Sequence, residues 1–145
     1  MIYRHTQIGT LIISISVILV LYFGFILMQA GFEQRILFIM ILILVILASF
    51  STLNVQIDQE NLRIKFGYGI YKKSFSLNEI VSVKAVRNHW YYGWGIRYWF
   101  WPKMRIFNIS GFDAVEIKMA DDKIYRIGTD EPKKLELMLL EVIKK

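Results

Sequence analysis

The chain has no cysteine, and this absence excludes several kinds of chemistry together. Without a thiol there is no disulfide, no thiolate metal site, no cysteine nucleophile and no lipid anchor of the lipoprotein type. The two histidines, His5 and His89, have no third metal ligand at a suitable spacing, and Ser110 has no partner base in the sequence pattern. The sequence therefore predicts a non-catalytic protein that needs neither a metal nor a cofactor.

Charged residues are absent from two long apolar runs in the first third of the chain. The first run extends from Ile8 to Ala30, and a helix of this length, at about 1.5 Å per residue, crosses the roughly 30 Å hydrocarbon core. The second extends from Ile36 to about Leu53, after a short polar break at residues 31–35. We predict two transmembrane helices, at about 8–30 and 36–53, that form a hairpin within residues 1–53.

A signal peptide is the alternative interpretation of the first run. The apolar region of a signal peptide has only about 7 to 15 residues, and Met28, Gln29 and Ala30 make a poor cleavage site. Neither run contains Asp, Glu, Lys, Arg or His, the side chains that mark a proton or ion pathway within a membrane. We therefore favour membrane anchors over a signal peptide, a transporter or a channel.

Basic residues near the ends of the runs predict the orientation, because such residues favour the cytoplasmic side. Arg4 precedes the first run, and Arg63 and Lys65 soon follow the second, whereas the loop between the runs has only Arg35 beside Glu33. The sequence therefore predicts a two-helix protein of the cell membrane with both termini in the cytoplasm.

From Asn54 onward the pattern changes to short segments in which apolar and polar residues alternate, which is typical of half-buried strands. After the last of them, Thr129 or Asp130 can cap a helix that has Pro132 in its first turn. We predict a β-rich α+β domain at residues 54–145 with this C-terminal helix. The seven predicted strands lie at residues 54–57, 62–66, 71–77, 81–86, 105–109, 115–119 and 124–127.

Three segments resemble small prokaryotic membrane proteins that carry a bacterial pleckstrin-homology-like (PH-like) domain. They are Gly-Trp-Gly-Ile-Arg at 93–97, Ser-Gly-Phe-Asp-Ala-Val-Glu-Ile at 110–117 and Ile-Gly-Thr-Asp-Glu-Pro at 127–132. The resemblance implies a PH-like barrel of about seven antiparallel strands with a C-terminal helix, joined to a transmembrane hairpin. It implies no activity.

Many PH domains bind inositol phosphates through basic residues around the first strand pair, and this chain has only half of such a site. Arg63 and Lys65 provide the basic residues, but the adjacent loop carries Asp58 and Glu60. Their negative charge would repel a phosphorylated headgroup. Specific recognition of inositol phosphates is therefore not expected.

Residues 90–102, here called the aromatic segment, contain all four tryptophans of the chain, and basic residues flank them on both sides. Three interpretations stay open: the rings complete the core, they lie at the membrane interface beside anionic lipid, or they form a pocket with Arg97 as its anion clamp. The candidate residues for lipid or partner binding are Arg87, Trp90, Trp94, Arg97, Trp99, Trp101, Lys103 and Arg105.

We predict a membrane-anchored PH-like binding module whose aromatic segment engages anionic lipid headgroups or a membrane-protein partner. A second copy of the chain, paired through the helix hairpin, is a further candidate partner. The alternative is a pocket protein for a small anion, or an unrecognised enzyme, centred on Arg97. Nucleic acid is not expected, since two membrane anchors restrict access and the sequence has no RNA-binding signature.

Overall fold

The computed structural model describes residues 2–100 and 103–144. These residues form an α+β fold in which two β-sheets pack together beside a pair of apolar helices. The helices are α1 (Thr10–Ala30), α2 (Gln34–Ala48) and α3 (Pro132–Ile143). The strands are β1 (Tyr3–Ile8), β2 (Thr52–Ile57), β3 (Asn61–Phe66), β4 (Tyr71–Ser76), β5 (Ile80–Arg87), β6 (Gly95–Phe100), β7 (Lys103–Asn108), β8 (Asp113–Met119) and β9 (Ile124–Gly128).

The first sheet has the order β1-β2-β3-β4, and all its neighbouring strands are antiparallel. Leu53, Val55 and Ile57 of β2 are at most 2% exposed, while the residues between them are half-buried on the outer face. On β3, Leu62 and Ile64 follow the same alternation. The period of two therefore fixes which face of this sheet forms the core.

The second sheet has the order β5-β8-β9-β7-β6, with β7 and β9 parallel and the other pairs antiparallel. Val115 and Ile117 of β8 point into the core and are fully buried. Helix α3 packs against β5 and β8 and adds Leu135 and Leu139, which are four residues apart and therefore lie on one helix face. The predicted C-terminal helix is confirmed, although Glu131 occupies the N-cap position.

The expected closed barrel is wrong. Among the described residues, no strand of one sheet pairs with a strand of the other, so both sheets have free edges. Two strands, β1 and β6, were also not predicted. The inward positions of β1 are Tyr3, His5 and Gln7, which give no alternation of apolar and polar residues. Strand β6 follows Gly93 and carries aromatic residues on both faces, so the same pattern is missing.

Helix α1 has 21 residues, none of them buried, and is long and apolar enough to cross a membrane. Helix α2 has only 15 residues, about 22 Å at the usual helical rise, and is a shorter apolar helix. The predicted end of the second helix at Leu53 is wrong, because Leu53 belongs to β2 and is fully buried in the sheet core. Leu53 occupies an inward position of β2. In the sequence it lengthens the apolar run of the helix only because leucine is apolar.

The two apolar helices are an insertion between β1 and β2, the first strand pair of the first sheet. Ile8 lies opposite Thr52, and the Gly9 N–H donates to the Ser51 carbonyl at 2.7 Å. Residues 3–8 therefore belong to the same sheet as the segment that begins near Asn54, which extends the predicted domain at its N-terminal side. We call the edge of the domain where the helices leave, marked by Gly9 and Ser51, the hairpin end.

Candidate functional site

The hairpin end brings two loops against the start of α1 and the end of α2. Gln7 Nε2 donates to the Ser110 carbonyl at 3.1 Å, and the Thr10 and Ser110 hydroxyls are 2.9 Å apart, which places the β7–β8 loop beside α1. The Gly67 N–H donates to the Thr52 carbonyl at 2.9 Å, which places the β3–β4 turn (residues 67–70) beside the end of α2. Side chains on these loops are therefore the nearest parts of the domain to the apolar helices.

The opposite edge of the domain is here called the far end. It contains the β2–β3 turn with Asp58 and Glu60 and the β8–β9 turn with Asp121 and Asp122. Hydrogen bonds from backbone N–H groups hold the pKa of Asp58 below its usual value, with a smaller contribution from Arg63. The Lys123 backbone N–H lowers the pKa of Asp121 in the same way. Three of the four carboxylates have a cationic partner, since Asp58 pairs with Arg63 at 3.1 Å, Asp121 with Lys123 at 3.2 Å and Asp122 with Lys118 at 3.4 Å.

Arg87 and Trp94 lie at the hairpin end, where both contact Phe112 of the β7–β8 loop. The Arg87 guanidinium carbon is 5.6 Å from the centre of the Phe112 ring, and Arg87 pairs with Asp113 at 3.7 Å. The Trp94 ring centre is 5.9 Å from that of Phe112, and its indole Nε1 donates to the Gly111 carbonyl at 3.1 Å. Arg87 and Trp94 therefore form one cluster with Phe112, which comes two residues after Ser110 in the sequence.

Trp90 follows the same end of β5 and is 76% exposed. It opens a short 3-10 turn, Trp90–Tyr92, in which Tyr92 is buried against Trp99 and lies 5.6 Å from the Arg126 guanidinium. Burial raises the pKa of Tyr92 despite the opposing charge of Arg126. The buried tyrosine therefore holds the turn in place while the indole of Trp90 stays in contact with solvent.

Trp99 has a different environment from the other described tryptophans. It lies on the outer face of the second sheet and packs against a small second core that contains Tyr92, Met104 and Ile106. Beneath Tyr92, Arg126 pairs with Glu116 at 2.8 Å and donates to Asn88 at 3.2 Å. For Trp99, the structure favours the core interpretation of the aromatic segment.

Arg97 folds back on its own turn. Its Nε donates to the Trp94 carbonyl at 2.9 Å, and a Cβ placed on Gly93 would be 3.4 Å from the same nitrogen. Gly93 and Gly95 both have positive φ angles, of 73° and 91°, which favour glycine. Part of the guanidinium is therefore used to hold this glycine turn, and an anion would meet only its terminal nitrogens.

Lys103 and Arg105 lie away from the Arg87 cluster, on the way to the far end. With Lys73 and Tyr98 they line a groove of about 510 Å³ that also contains Asp121 and Asp122. Trp101 lies outside the described residues. The structure thus places Arg87 and Trp94 at the hairpin end, with the exposed Trp90 three residues beyond Arg87. It does not join them to Lys103 and Arg105 in one surface.

Sequence reasoning missed a second group at the hairpin end. Tyr68 and Ile70 on the β3–β4 turn are 78% and 68% exposed. Next to them, Lys65 and Lys72 lie opposite each other on β3 and β4 and line a groove of about 360 Å³ on the outer face of the first sheet. The predicted strands at 62–66 and 71–77 leave a connection at residues 67–70, but only the strand pairing and the Gly67 hydrogen bond show that this turn lies beside the helices.

A cluster of ionisable side chains fastens β1 to the start of α3. His5 contacts the carboxylate of Asp130, and the Tyr3 hydroxyl donates to Glu131 at 3.2 Å. Burial and the charge of Glu131 raise the pKa of Tyr3 well above its usual value. Among the described residues, no group of three or more His, Cys, Asp or Glu side chains could hold a metal ion.

Comparison with known proteins adds no assignment: no protein-family model, no curated protein and no solved structure matches this chain.

Proposed function

We propose that the protein is a membrane-anchored, non-catalytic binding module whose PH-like domain rests on the cytoplasmic face of the cell membrane and engages anionic lipid headgroups. Arg87, Trp90 and Trp94 make the contact. The observation that carries this proposal is that Arg87 and Trp94 contact Phe112 at the hairpin end, two residues from Ser110, whose hydroxyl contacts that of Thr10 at the start of α1. Trp90 comes three residues after Arg87 and is exposed.

Pairing of β1 with β2 supports two crossings of the membrane. A chain that leaves the sheet through α1 must return to the same sheet through α2, because Ile8 and Thr52 lie opposite each other. Cleavage after Ala30 would also remove β1, an edge strand of the sheet. The shorter α2 fits if the bilayer thins locally and Arg35 extends its side chain to the headgroups.

The connections between the helices and the sheet leave the domain little freedom to move away from the bilayer. Only Gly9 separates β1 from α1, and three residues separate α2 from β2. Tryptophan favours the interfacial region, and an arginine near the surface adds attraction to anionic lipid of about 1 kcal/mol.

The PH-like assignment is part of this proposal. Two packed sheets with a C-terminal helix are compatible with it. Three features depart from the expected seven-stranded barrel: both sheets have open edges, β7 and β9 are parallel, and the strand β1 precedes the helices. The anion pocket centred on Arg97 has weaker support, because its Nε already binds the Trp94 carbonyl.

The proposal is tested by measuring the membrane depth of Trp90 in the full chain. A variant that keeps only Trp90, with the other three tryptophans changed to Phe, is reconstituted into bilayers that contain 30% phosphatidylglycerol and brominated lipids. We expect strong quenching by lipids brominated near the headgroup. A matched variant that keeps only Trp99, which packs on Met104, should be quenched much less. Equal quenching of the two variants, or none in either, would contradict the proposal.

The topology is tested separately with single cysteines, since the native chain has none. In intact cells, a cysteine at Glu33 in the α1–α2 loop should react with a membrane-impermeant maleimide. A cysteine at Gln59 in the β2–β3 turn should react only after the cells are opened. Labelling of both positions from the same side would exclude the two-span hairpin.

A further inference from the structure

The β3–β4 turn is held against the end of α2 by its backbone. Besides the bond from the Gly67 N–H to the Thr52 carbonyl, Gly67 approaches Ser49, the residue that caps α2, so closely that a Cβ would be 2.3 Å from the Ser49 carbonyl oxygen. The Gly69 N–H closes the turn on the Phe66 carbonyl at 2.8 Å. The turn is therefore fixed at the level where α2 ends.

Two apolar side chains on this turn have no place in the core. Tyr68 and Ile70 are among the most exposed large side chains of the sheet domain, at 78% and 68%. Their neighbours in sequence, Phe66 and Tyr71, pack against Phe107 in the core instead. The turn thus projects an aromatic ring with a polar tip and a branched aliphatic side chain next to the apolar helices, a combination that suits the headgroup region.

Two lysines converge over the same turn. Lys65 and Lys72 face each other directly across β3 and β4, an arrangement of like charges that destabilises a strand pair. A Cβ on Gly69 would be 2.7 Å from Lys72 Cε and 3.3 Å from Lys65 Cε, so both side chains bend toward the turn. Within residues 2–100 and 103–144, neither ammonium group forms an ion pair with a carboxylate. An anion between them would relieve the repulsion.

We propose that the β3–β4 turn is a membrane wedge, in which Tyr68 and Ile70 enter the headgroup region and Lys65 and Lys72 together bind the phosphate of an anionic lipid. This inference rests on the proposed membrane setting and adds a second contact on the other sheet, separate from Arg87, Trp90 and Trp94. The two contacts, one on each sheet, would hold the domain at a fixed tilt. The lysine pair adds to the preference for anionic over zwitterionic lipid that Arg87 gives the first contact.

The test introduces a single cysteine for labelling, since the native chain has none. Ile70→Cys in the full chain is labelled with the fluorophore NBD and reconstituted into vesicles of phosphatidylcholine, with or without 30% phosphatidylglycerol. We expect blue-shifted emission and quenching by lipids spin-labelled near the headgroup, both stronger with phosphatidylglycerol. Gln59→Cys, at the far turn of the adjacent strand pair, is the matched control and should show neither effect.

The role of the lysines is tested in the same background. Lys65→Gln together with Lys72→Gln should greatly reduce the difference between the two vesicle compositions at position 70. Arg63→Gln, on the same strand but paired with Asp58 at 3.1 Å, should leave that difference unchanged.

A water-exposed label at position 70, with Trp90 still quenched, overturns the wedge and leaves the proposed function standing. If neither position is quenched, the domain does not rest on the bilayer and both proposals fail. Equal insertion in both compositions overturns the phosphate site.

Discussion

Asp58 holds the far turn of the first sheet through two backbone hydrogen bonds. Its Oδ1 accepts from the N–H groups of Glu60 and Asn61 at 2.9 and 2.7 Å, and these bonds lower its pKa. A carboxyl group whose pKa is lowered on folding stabilises the protein above its unfolded value, about 3.9, and this contribution disappears as the pH falls through the folded value. The negative charge of Asp58 is therefore expected to stabilise the fold near neutral pH and to lose this effect in acid.

Asp58→Asn should lower the Tm at about pH 6, and the difference from the native chain should be smaller at about pH 3, which lies below the unfolded pKa of about 3.9. The amide can still accept the turn's hydrogen bonds, so the variant tests the charge. Thermal unfolding in detergent, followed by tryptophan fluorescence, measures this, with exposed Glu141→Gln as the control for loss of one charge. A Tm difference that is the same at both pH values would exclude the link.

Arg126 and Glu116 form the most deeply placed ion pair among the described residues, with side chains 14% and 20% exposed. Glu116→Gln leaves the guanidinium without its carboxylate beneath Tyr92, and we expect a loss of about 2 kcal/mol in the free energy of unfolding. Glu116→Leu combined with Arg126→Met should recover most of it, because apolar side chains of similar size can replace such a pair. Chemical denaturation measures both.

The exposed pair of Arg87 and Asp113 is the control for that experiment. Its atoms are 3.7 Å apart and its side chains are 73% and 49% exposed, so Asp113→Asn should cost less than about 0.5 kcal/mol. Equal losses at Glu116 and Asp113 would mean that burial does not strengthen the inner pair.

At the scale of the elements, alternation predicted those strands whose inward positions are apolar. Leu62 and Ile64 on β3, or Val115 and Ile117 on β8, show the period directly. The same rule fails for β1, since its inward residues include Gln7, which is only 6% exposed but uses its amide to bind Ser110. It fails at the end of α2 as well, because apolar composition alone cannot separate a helix end from a buried strand.

The β3–β4 turn should be the least tolerant of the glycine turns described. Gly67→Ala forces a positive φ of 48° on alanine and also drives its Cβ into the Ser49 carbonyl, so we expect a loss of several kcal/mol or failure to fold. Gly111→Ala has a similar φ of 68° but open space around the Cβ, and should cost only about 1 kcal/mol. Denaturation of both variants in detergent compares them, and equal costs would place the turn away from α2.

At the scale of the whole molecule, the candidate site was only partly predictable. Composition identified the aromatic segment, but it could not separate Trp99, which packs on Met104, from Trp90, which is exposed. That difference depends on the register between β6 and β7 and on the turn held by Tyr92. The position of Tyr68 beside the helices depends on pairing of residues distant in sequence, for which the sequence alone carries no signal.

The insertion of both helices between paired strands makes a further prediction about the whole molecule. Since the Gly9 N–H reaches the Ser51 carbonyl at 2.7 Å, replacing residues 10–50 by the two-residue turn Asn-Gly should close a normal β1–β2 hairpin. We expect a water-soluble domain with the native β content by circular dichroism and cooperative unfolding.

A variant of residues 51–145 lacks β1, and with it the buried Tyr3 and Gln7, so it should be less stable or aggregate. If the soluble variant is unfolded while the full chain is folded, the deleted residues, which include Phe50 packed on Phe66, contribute to the fold of the domain. If residues 51–145 alone match the soluble variant in stability, the pairing of β1 with β2 contributes nothing to the stability of the domain.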